Sequence, residues 1–423
     1  MTTPGTLRLH DTRRGQVQEI VPARHGQLRV FACGPAGYRR AHLGDLRTFL
    51  LPDLISRVAQ RHRLAVLTCR NITDVGFLPG DDGWLDARGQ ITGDSGNEAA
   101  GGQAALERAR SYEAAADADC SSLNIHPPDR SPRASEASGP ITGLIEQLID
   151  SGHAYATPDG SVYCAAGSFS GYQEPGSGSD PADVPPPREP AAGARAPDDW
   201  PAWTGEPSGG GLSWPAPWGQ GLPSWHIACS ALSRQDLGDV VDIHTGGIGQ
   251  RFPHHENERA QSDAAAGHEV VRHWVHGEDS WFEGRAFRGD AARSTAAAGD
   301  AVVLADLTAR GLDPLALRLT FLEHHYREPL DLSWQALAEA DRLLRAWRDQ
   351  VARWATQPSR PMSGEHVAQI AAAFDDDLDT GAALGTLRAL ADSTQVAAGA
   401  KFETFAHIDA LLGLDLARDV GRY

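Results

Sequence analysis

Apolar positions dominate LRVFACG, residues 28–34, and return in LAVLTCRNITDV, residues 64–75, each run fitting a strand covered on both faces. Between them RTFLLPDLISRVAQ spaces its apolar residues at helical intervals. Strand, helix, strand at this spacing is a βαβ unit, which predicts a parallel sheet and an α/β fold. From Asp313 the pattern turns helical: DPLALRLTFLEHH has Asp at the N-cap and Pro at the first helical position, and LAEADRLLRAWRDQVARWA keeps the same period. Residues 166–222 follow neither period and are rich in Gly, Pro and Ser, including VPPPREPAAGARAP and GEPSGGG. They read as a long connector outside the core.

A chain of 423 residues is long enough for two or three domains. No apolar run reaches the roughly 18 residues of a membrane span, and MTTPGTLRLHDTRRG lacks the apolar stretch of a secretory signal, so a cytoplasmic protein without a membrane partner is expected. Five cysteines, at 33, 69, 120, 164 and 229, are scattered and odd in number, which suits reduced thiols or metal ligands. The net charge of −18 gives no support to a broad nucleic-acid footprint. Of the 38 basic residues all but Lys401 are arginine.

Candidate chemistry concentrates in FPHHENERAQ, residues 252–261. If Pro253 opens a helix, His254 and Glu258 stand four apart on one face that can grip a metal. Helix starts also favour acidic residues, so this decapeptide alone leaves the matter open. Zinc wants about four soft or borderline ligands, with thiolates favoured. Cys33 ends the first strand, where parallel sheets place their sites, and Cys229 lies in PSWHIACSAL, 25 positions before His254. Taken singly, each cysteine reads equally as a small buried hydrophobe.

CGPAGY, AHLGD, RNITDV, NIHPPDRSPRASE, LIDSGHAY, LSWPAPWGQGLPSWHIACSAL, DIHTGG, FPHHENERAQ and HYREPLDLSW occur in the order seen in cysteinyl-tRNA synthetases. The chain resembles that family from about residue 7 to residue 413, and is equally similar to the related mycothiol-pathway ligase, which joins cysteine to an aminosugar-inositol. The resemblance implies a class I synthetase fold: a Rossmann-like parallel sheet in two halves, residues 1–140 and 216–312, a connective insertion at 141–215, and an α-helical bundle at 313–423. It implies zinc held by Cys33, Cys229, His254 and Glu258, with L-cysteine, or a related thiol amino acid, adding its thiolate to the metal. Cys33, Thr73, Trp225 and His226 then line the cysteine pocket, and Gly34, His42, Gly44, Asp45, Gly246 and Gly247 the site for ATP with its Mg2+.

Three departures qualify this picture. The H-x-G-H signature that meets the ATP phosphates reads His42-Leu43-Gly44-Asp45, which sets a carboxylate beside a triphosphate. The G-G-x-D loop reads Gly246-Gly247-Ile248-Gly249, without the acid. The K-M-S-K-S signature falls on AFRGD or RSTAA, neither with a lysine, so Arg288 or Arg293 is the candidate catalytic cation together with His42. The chain ends at Tyr423, about ten residues past the bundle, without the anticodon-binding extension. With the acidic charge, this leads to the expectation that tRNA is not the partner and that an amine or carrier accepts the cysteinyl group. The alternative is a paralogue that keeps the zinc–thiol pocket without adenylating, or senses cysteine. A monomer or homodimer is expected.

Overall fold

The computed structural model describes residues 6–37, 39–75, 102–172, 193–205, 212–287 and 302–422. Strands β1 (Arg8–Asp11) and β2 (Gln16–Glu19) form an antiparallel hairpin. Next come β3 (Gln27–Ala32), α1 (Leu43–Arg61) and β4 (Ala65–Arg70), the βαβ unit the apolar runs predict, with β3 and β4 parallel. Helices α2 (Gly102–Ser122) and α3 (Ser138–Asp150) lead to β5 (Ala154–Ala156), β6 (Val162–Cys164), β7 (Trp200–Gly205), β8 (Trp214–Ala216) and β9 (Gly219–Pro223). Then α4 (Trp225–Leu237), β10 (Val241–Gly247), α5 (Glu256–Ala266) and β11 (Val271–Gly277) complete a second βαβ unit.

The two units join through β3 and β10, giving a four-stranded parallel sheet in the order β11-β10-β3-β4. From this central pair the chain winds outward to β4 on one side and β11 on the other. A switch of that kind opens a crevice at the carboxyl ends of the two strands, where ligands of doubly wound sheets bind. Cys33 directly follows β3, and Gly246 and Gly247 end β10. The sheet core is apolar without interruption, with Leu28, Val30, Phe31, Val241, Ile243 and Val275 at most 1% exposed. That is what burial under helices on both faces demands.

The expectation of an unstructured connector over 166–222 is corrected. Its described residues supply three strands of a five-stranded antiparallel sheet, β5-β6-β7-β9-β8, and a core of their own around Trp203, Ala202 and Leu222. Tryptophans at 200 and 203, spaced within a short run, outweigh the surrounding Gly and Pro because each buries a large apolar area. The VPPPREP stretch and most of GEPSGGG lie outside the described residues. The small sheet is fastened near the crevice: Tyr172 stacks on Trp200 with ring centroids 4.7 Å apart, and its hydroxyl donates to Asn257 Oδ1 of α5 at 2.7 Å.

Beyond β11, β12 (Ser280–Phe282), β13 (Arg285–Ala286), α6 (Leu304–Ala309), α7 (Pro314–Leu322) and β14 (Leu330–Leu332) lead into the helices α8 (Trp334–Trp354), α9 (Gly364–Asp375), α10 (Thr380–Asp392) and α11 (Ala398–Leu412). Asp313 caps α7 by accepting from Leu315 N at 2.9 Å. Arg318 of α7 is fully buried and ties the helical region to the sheet domain through Asp53 of α1. Lys401, the single lysine, is buried inside the helical region, where its Nζ donates to Ala391 O at 2.7 Å and lies 5.2 Å from the Trp354 ring centre. Among the described residues no helix is long and apolar enough to cross a membrane.

Candidate active site

Cys33 is the hub of the crevice. Its Sγ lies 3.3 Å from His254 Nε2, 3.4 Å from His255 Nε2, 3.7 Å from His244 Nε2 and 3.7 Å from Glu258 Oε1. One ligand atom from each of Cys33, His254, His255 and Glu258 falls within 4.8 Å of all the others, and all four residues are buried. His254 and Glu258 meet as the spacing anticipates, Nε2 to Oε1 at 2.7 Å and one helical turn apart. Within Arg251–His255 only Phe252 departs from helical dihedrals, so the chain runs from Pro253 straight into α5 and carries both side chains to one face. Cys229, on the first turns of α4, is fully buried and interacts with both Cys33 and His254, while Asn71 Nδ2 donates to its Sγ at 3.3 Å. His255, one position beyond the expected ligand, joins the compact group of four.

The electrostatics fit a cation. Burial pushes the Cys33 thiol well above its usual range, with the neighbouring Cys229 and Glu258 adding to the rise. Burial likewise raises the Glu258 carboxyl far above an ordinary glutamate, against the opposing hydrogen bond from Cys33. Among the described residues Glu258 forms ion pairs only with histidines, His254 and His244. Burial drives His226, His244 and His255 well below the usual imidazole range, so the rings are neutral and lone pairs are available to a metal. Thiol, imidazole and carboxylate donors without a resident positive charge are the ligand set of a zinc site.

The surrounding contacts orient these donors. His226 Nδ1 lies 2.7 Å from His254 Nδ1, and the Trp225 ring stacks on His254 at 3.6 Å between centroids. His226 thus acts on the group through His254, while Trp225 walls it. Thr73 Oγ1 accepts from Asn71 Nδ2 at 3.2 Å, which links Thr73 to Cys229 through one amide. His255 Nδ1 lies 2.7 Å from His276 Nε2, and His276 Nδ1 lies 2.9 Å from Thr12 Oγ1. Burial pushes His276 down to about 3. Sequence reasoning did not single out His244, His276, Asn71 or Thr12. His244 and His276 stand near the carboxyl ends of β10 and β11, and that position was the available signal.

At the nucleotide side, His42 is the N-cap of α1 and is buried, with Phe287 stacked on its ring at 4.7 Å. Its Nδ1 accepts from Asp45 N at 3.1 Å, which leaves Nε2 as the protonated nitrogen of the neutral ring. The ends flanking the lysine-less signature both reach this point: Phe287 on the His42 ring, and Val302, whose carbonyl accepts from Leu43 N at 3.1 Å. Arg288 and Arg293 lie outside the described residues. Gly44 leaves room for the stacked rings, since a Cβ there would come within 3.0 Å of Phe287 and 3.2 Å of His42. At Gly246 a Cβ would meet His255 at 2.4 Å, whereas at Gly247 the nearest contact is an ordinary 3.6 Å to Thr48.

Gly34 is the most constrained of these positions. A Cβ would sit 1.6 Å from the backbone oxygen of Asn71, a collision no rotamer relieves. Gly34→Ala is therefore expected to part the ends of β3 and β4, displace Asn71 from Cys229 and destabilise the fold by about 3 kcal/mol or more. Urea denaturation measures it, and a variant within about 0.5 kcal/mol of wild type would show that this close approach is not needed.

A doubly wound sheet with its site at the switch point, a connective insertion and a helical region after it define a class I aminoacyl-tRNA synthetase architecture. Residues 19–342 match the family of tRNA synthetases class I (C) catalytic domains. The chain is 33% identical to a cysteine–tRNA ligase of Opitutus terrae, covering 97% of this chain and 86% of that protein. It is 35% identical to one of Clavibacter michiganensis, covering 99% and 87%. Solved structures share the fold at low identity: a methionyl-tRNA synthetase of Mycobacterium tuberculosis, bound to methionyl-adenylate, at TM-score 0.55, 14% identity and 92% coverage of both chains, and the LeuRS of Agrobacterium radiobacter at 0.60, 9% identity, 93% of this chain and 84% of that one. This chain belongs to the cysteine–tRNA ligase family, a ligase family of enzymes.

The expectation that tRNA is not the partner is corrected by these relatives, which carry tRNA in their names over nearly the whole of the present chain. The error came from net charge. A total of −18 describes the whole surface, while a tRNA-binding face needs only a local field. The preference for a small amine or carrier acceptor rested on the same inference and has no support.

Proposed function

We propose that the protein activates cysteine with ATP in the crevice between β3 and β10 and transfers the cysteinyl group to tRNA. The observation that carries this is the buried group of Cys33, His254, His255 and Glu258, with Cys229 against it and Trp225 stacked on His254. Cys33, Cys229, His254 and Glu258 would hold zinc, with His255 beside them. When bound, zinc supplies a soft site for the substrate thiolate, which serine and alanine cannot match, so discrimination needs no editing.

The chain's own residues do the rest. Trp225 and Thr73 wall a pocket sized for a small side chain, and the buried histidines keep their rings neutral so that the sulfur meets no competing proton donor of ordinary acidity. His42 holds its Nε2 proton toward the nucleotide side by using Nδ1 as the helix cap. The cysteine carboxylate attacks the α-phosphorus of ATP, pyrophosphate leaves, and the terminal ribose hydroxyl of tRNA takes the acyl group from the adenylate, releasing AMP. Cationic groups near the phosphates stabilise the developing charge, and Arg288 and Arg293 are candidates for that work.

Cysteine-dependent exchange of labelled pyrophosphate into ATP, followed by acylation of a cysteine tRNA transcript, tests the proposal. Exchange is expected with cysteine and to be at least about 1,000-fold weaker with serine or alanine, the scale at which a missing specific contact discriminates. Zinc-loaded protein with no exchange above background would remove the adenylation step, and exchange without tRNA acylation would remove the acceptor.

A further inference from the structure

Resting on that proposal of ATP use, we propose that Arg39 is the phosphate-facing cation of the nucleotide site, with Asp45 as its positioning residue. The sequence alone makes Asp45 a difficulty, because a carboxylate at the last signature position repels a triphosphate. The side chain is not left to do so. Asp45 Oδ2 accepts from His42 N at 2.8 Å and from Arg39 Nη1, and Oδ1 accepts from Arg39 Nη2 at 3.1 Å. Burial alone would raise the Asp45 carboxyl, but the Arg39 charge and then His42 outweigh it and hold it below the usual range. The carboxylate is ionised, neutralised and occupied on both oxygens. It grips the guanidinium in the two-pronged geometry that fixes an arginine in place.

The position suits a phosphate contact. The pair stands at the start of α1 beside His42, with side chains 25% and 22% exposed, so neither group is sealed into the core as a structural ion pair would be. A guanidinium gripped on one edge keeps further N–H donors for a second oxyanion. The other cations nearby are committed. Arg47 donates to the carbonyls of Glu278, Asp279, His325 and Glu328 and to Ser280 Oγ, and burial pushes it down to about 10. Arg70 is held by Asp117 and Cys120. Lys401 is packed in the helical region. Of the described cations around the α1 start, Arg39 is the one both anchored and accessible.

Arg39→Ala, Arg39→Lys, Asp45→Asn and the double variant Arg39→Ala/Asp45→Asn test this. Arg39→Ala is expected to raise KM for ATP in pyrophosphate exchange about 10- to 100-fold, the range for losing a charge-assisted contact, while KM for cysteine stays within about twofold. Arg39→Lys restores part of the loss. The decisive sign is in the double variant: Arg39→Ala exposes an uncompensated carboxylate to the phosphates, so adding Asp45→Asn should recover ATP affinity. A merely structural pair predicts the opposite, damage that is equal or worse and falls on thermal stability and cysteine KM alike. Binding of a nonhydrolysable ATP analogue is measured by calorimetry on the same proteins. A wild type that binds the analogue without exchanging would count against adenylation alone, and weaker analogue binding by Arg39→Ala would still support the contact. Unchanged ATP or analogue binding in Arg39→Ala, or no analogue binding by wild type, overturns it.

Discussion

Cys33→Ser is expected to strip the protein of zinc and to abolish cysteine-dependent pyrophosphate exchange. Every other member of the compact donor group lies within 3.7 Å of this sulfur, and His244 does too, so its loss removes the common point of the group. A serine hydroxyl is a harder donor, and under a buried, proton-retaining environment it does not ionise to replace a thiolate. The loss of metal affinity should exceed the roughly 100-fold that follows removal of a mere orienting partner of a metal ligand. Elemental analysis of the purified variant reads the effect directly. Cys69→Ser is the control: Cys69 is buried, interacts with Asp236 and is not part of the donor group, so that variant should keep its metal. Full zinc occupancy in Cys33→Ser would mean that the donor set lies elsewhere.

The second large effect concerns the joint between the sheet domain and the helical region. Arg318 is fully buried, and its guanidinium donates to Leu412 O, Leu123 O and Asn124 O and to Asp53 Oδ2 at 2.9 Å. Gly413, at φ 65°, ends α11 against it, and a Cβ there would come within 2.8 Å of the guanidinium. Arg318→Met fills similar space but leaves three carbonyls and a buried carboxylate with less compensation. A loss of about 3–5 kcal/mol is expected, the cost of removing one partner from a buried pair. Urea denaturation at neutral pH measures it.

The acid limb carries its own signature. Burial tends to raise the Asp53 carboxyl, but the hydrogen bond with His126 and the charges of Arg318 and Arg57 prevail and hold it far below the ordinary range. A carboxyl depressed on folding stabilises the native state above its unfolded pKa of about 4 and loses that contribution as pH falls through the native value. Wild type should therefore weaken steeply below about pH 4. Arg318→Met, with the depression reduced, should start less stable and fall less. Parallel acid limbs in the two proteins would show that Asp53 owes its ionisation to other groups.

Much of the architecture was legible because its signals are local. LRVFACG and LAVLTCRNITDV are continuous apolar runs, and only a sheet covered on both faces calls for them; Asp313 and Pro314 mark a helix start by their own chemistry. The Trp-bearing strands at 200–205 and 214–223 escaped because Gly and Pro mask their period, and a strand whose partner lies about 40 residues away leaves no local trace of the pairing. In the crevice, the spacing of His254 and Glu258 is a helical turn and could be read directly. That His255 also faces Cys33 could not, since adjacent positions on a helix diverge and only the extended Phe252 and the close approach at Gly246 set the ring's place. The Arg39–Asp45 pair was invisible for a related reason: Asp45 reads as a lost histidine until the partner six residues earlier is seen in contact.

The burial of Lys401 fixes the character of the whole surface. With the one ammonium side chain withdrawn into the helices, every cation the exterior offers is a guanidinium or a histidine. Guanidinium keeps its proton beyond about pH 12, so the outward positive charge stays constant through the alkaline range in which lysine-rich proteins shed theirs. Recognition of a polyanion by this enzyme is thereby insensitive to base, and forked, planar contacts replace the mobile point charges that ammonium groups provide.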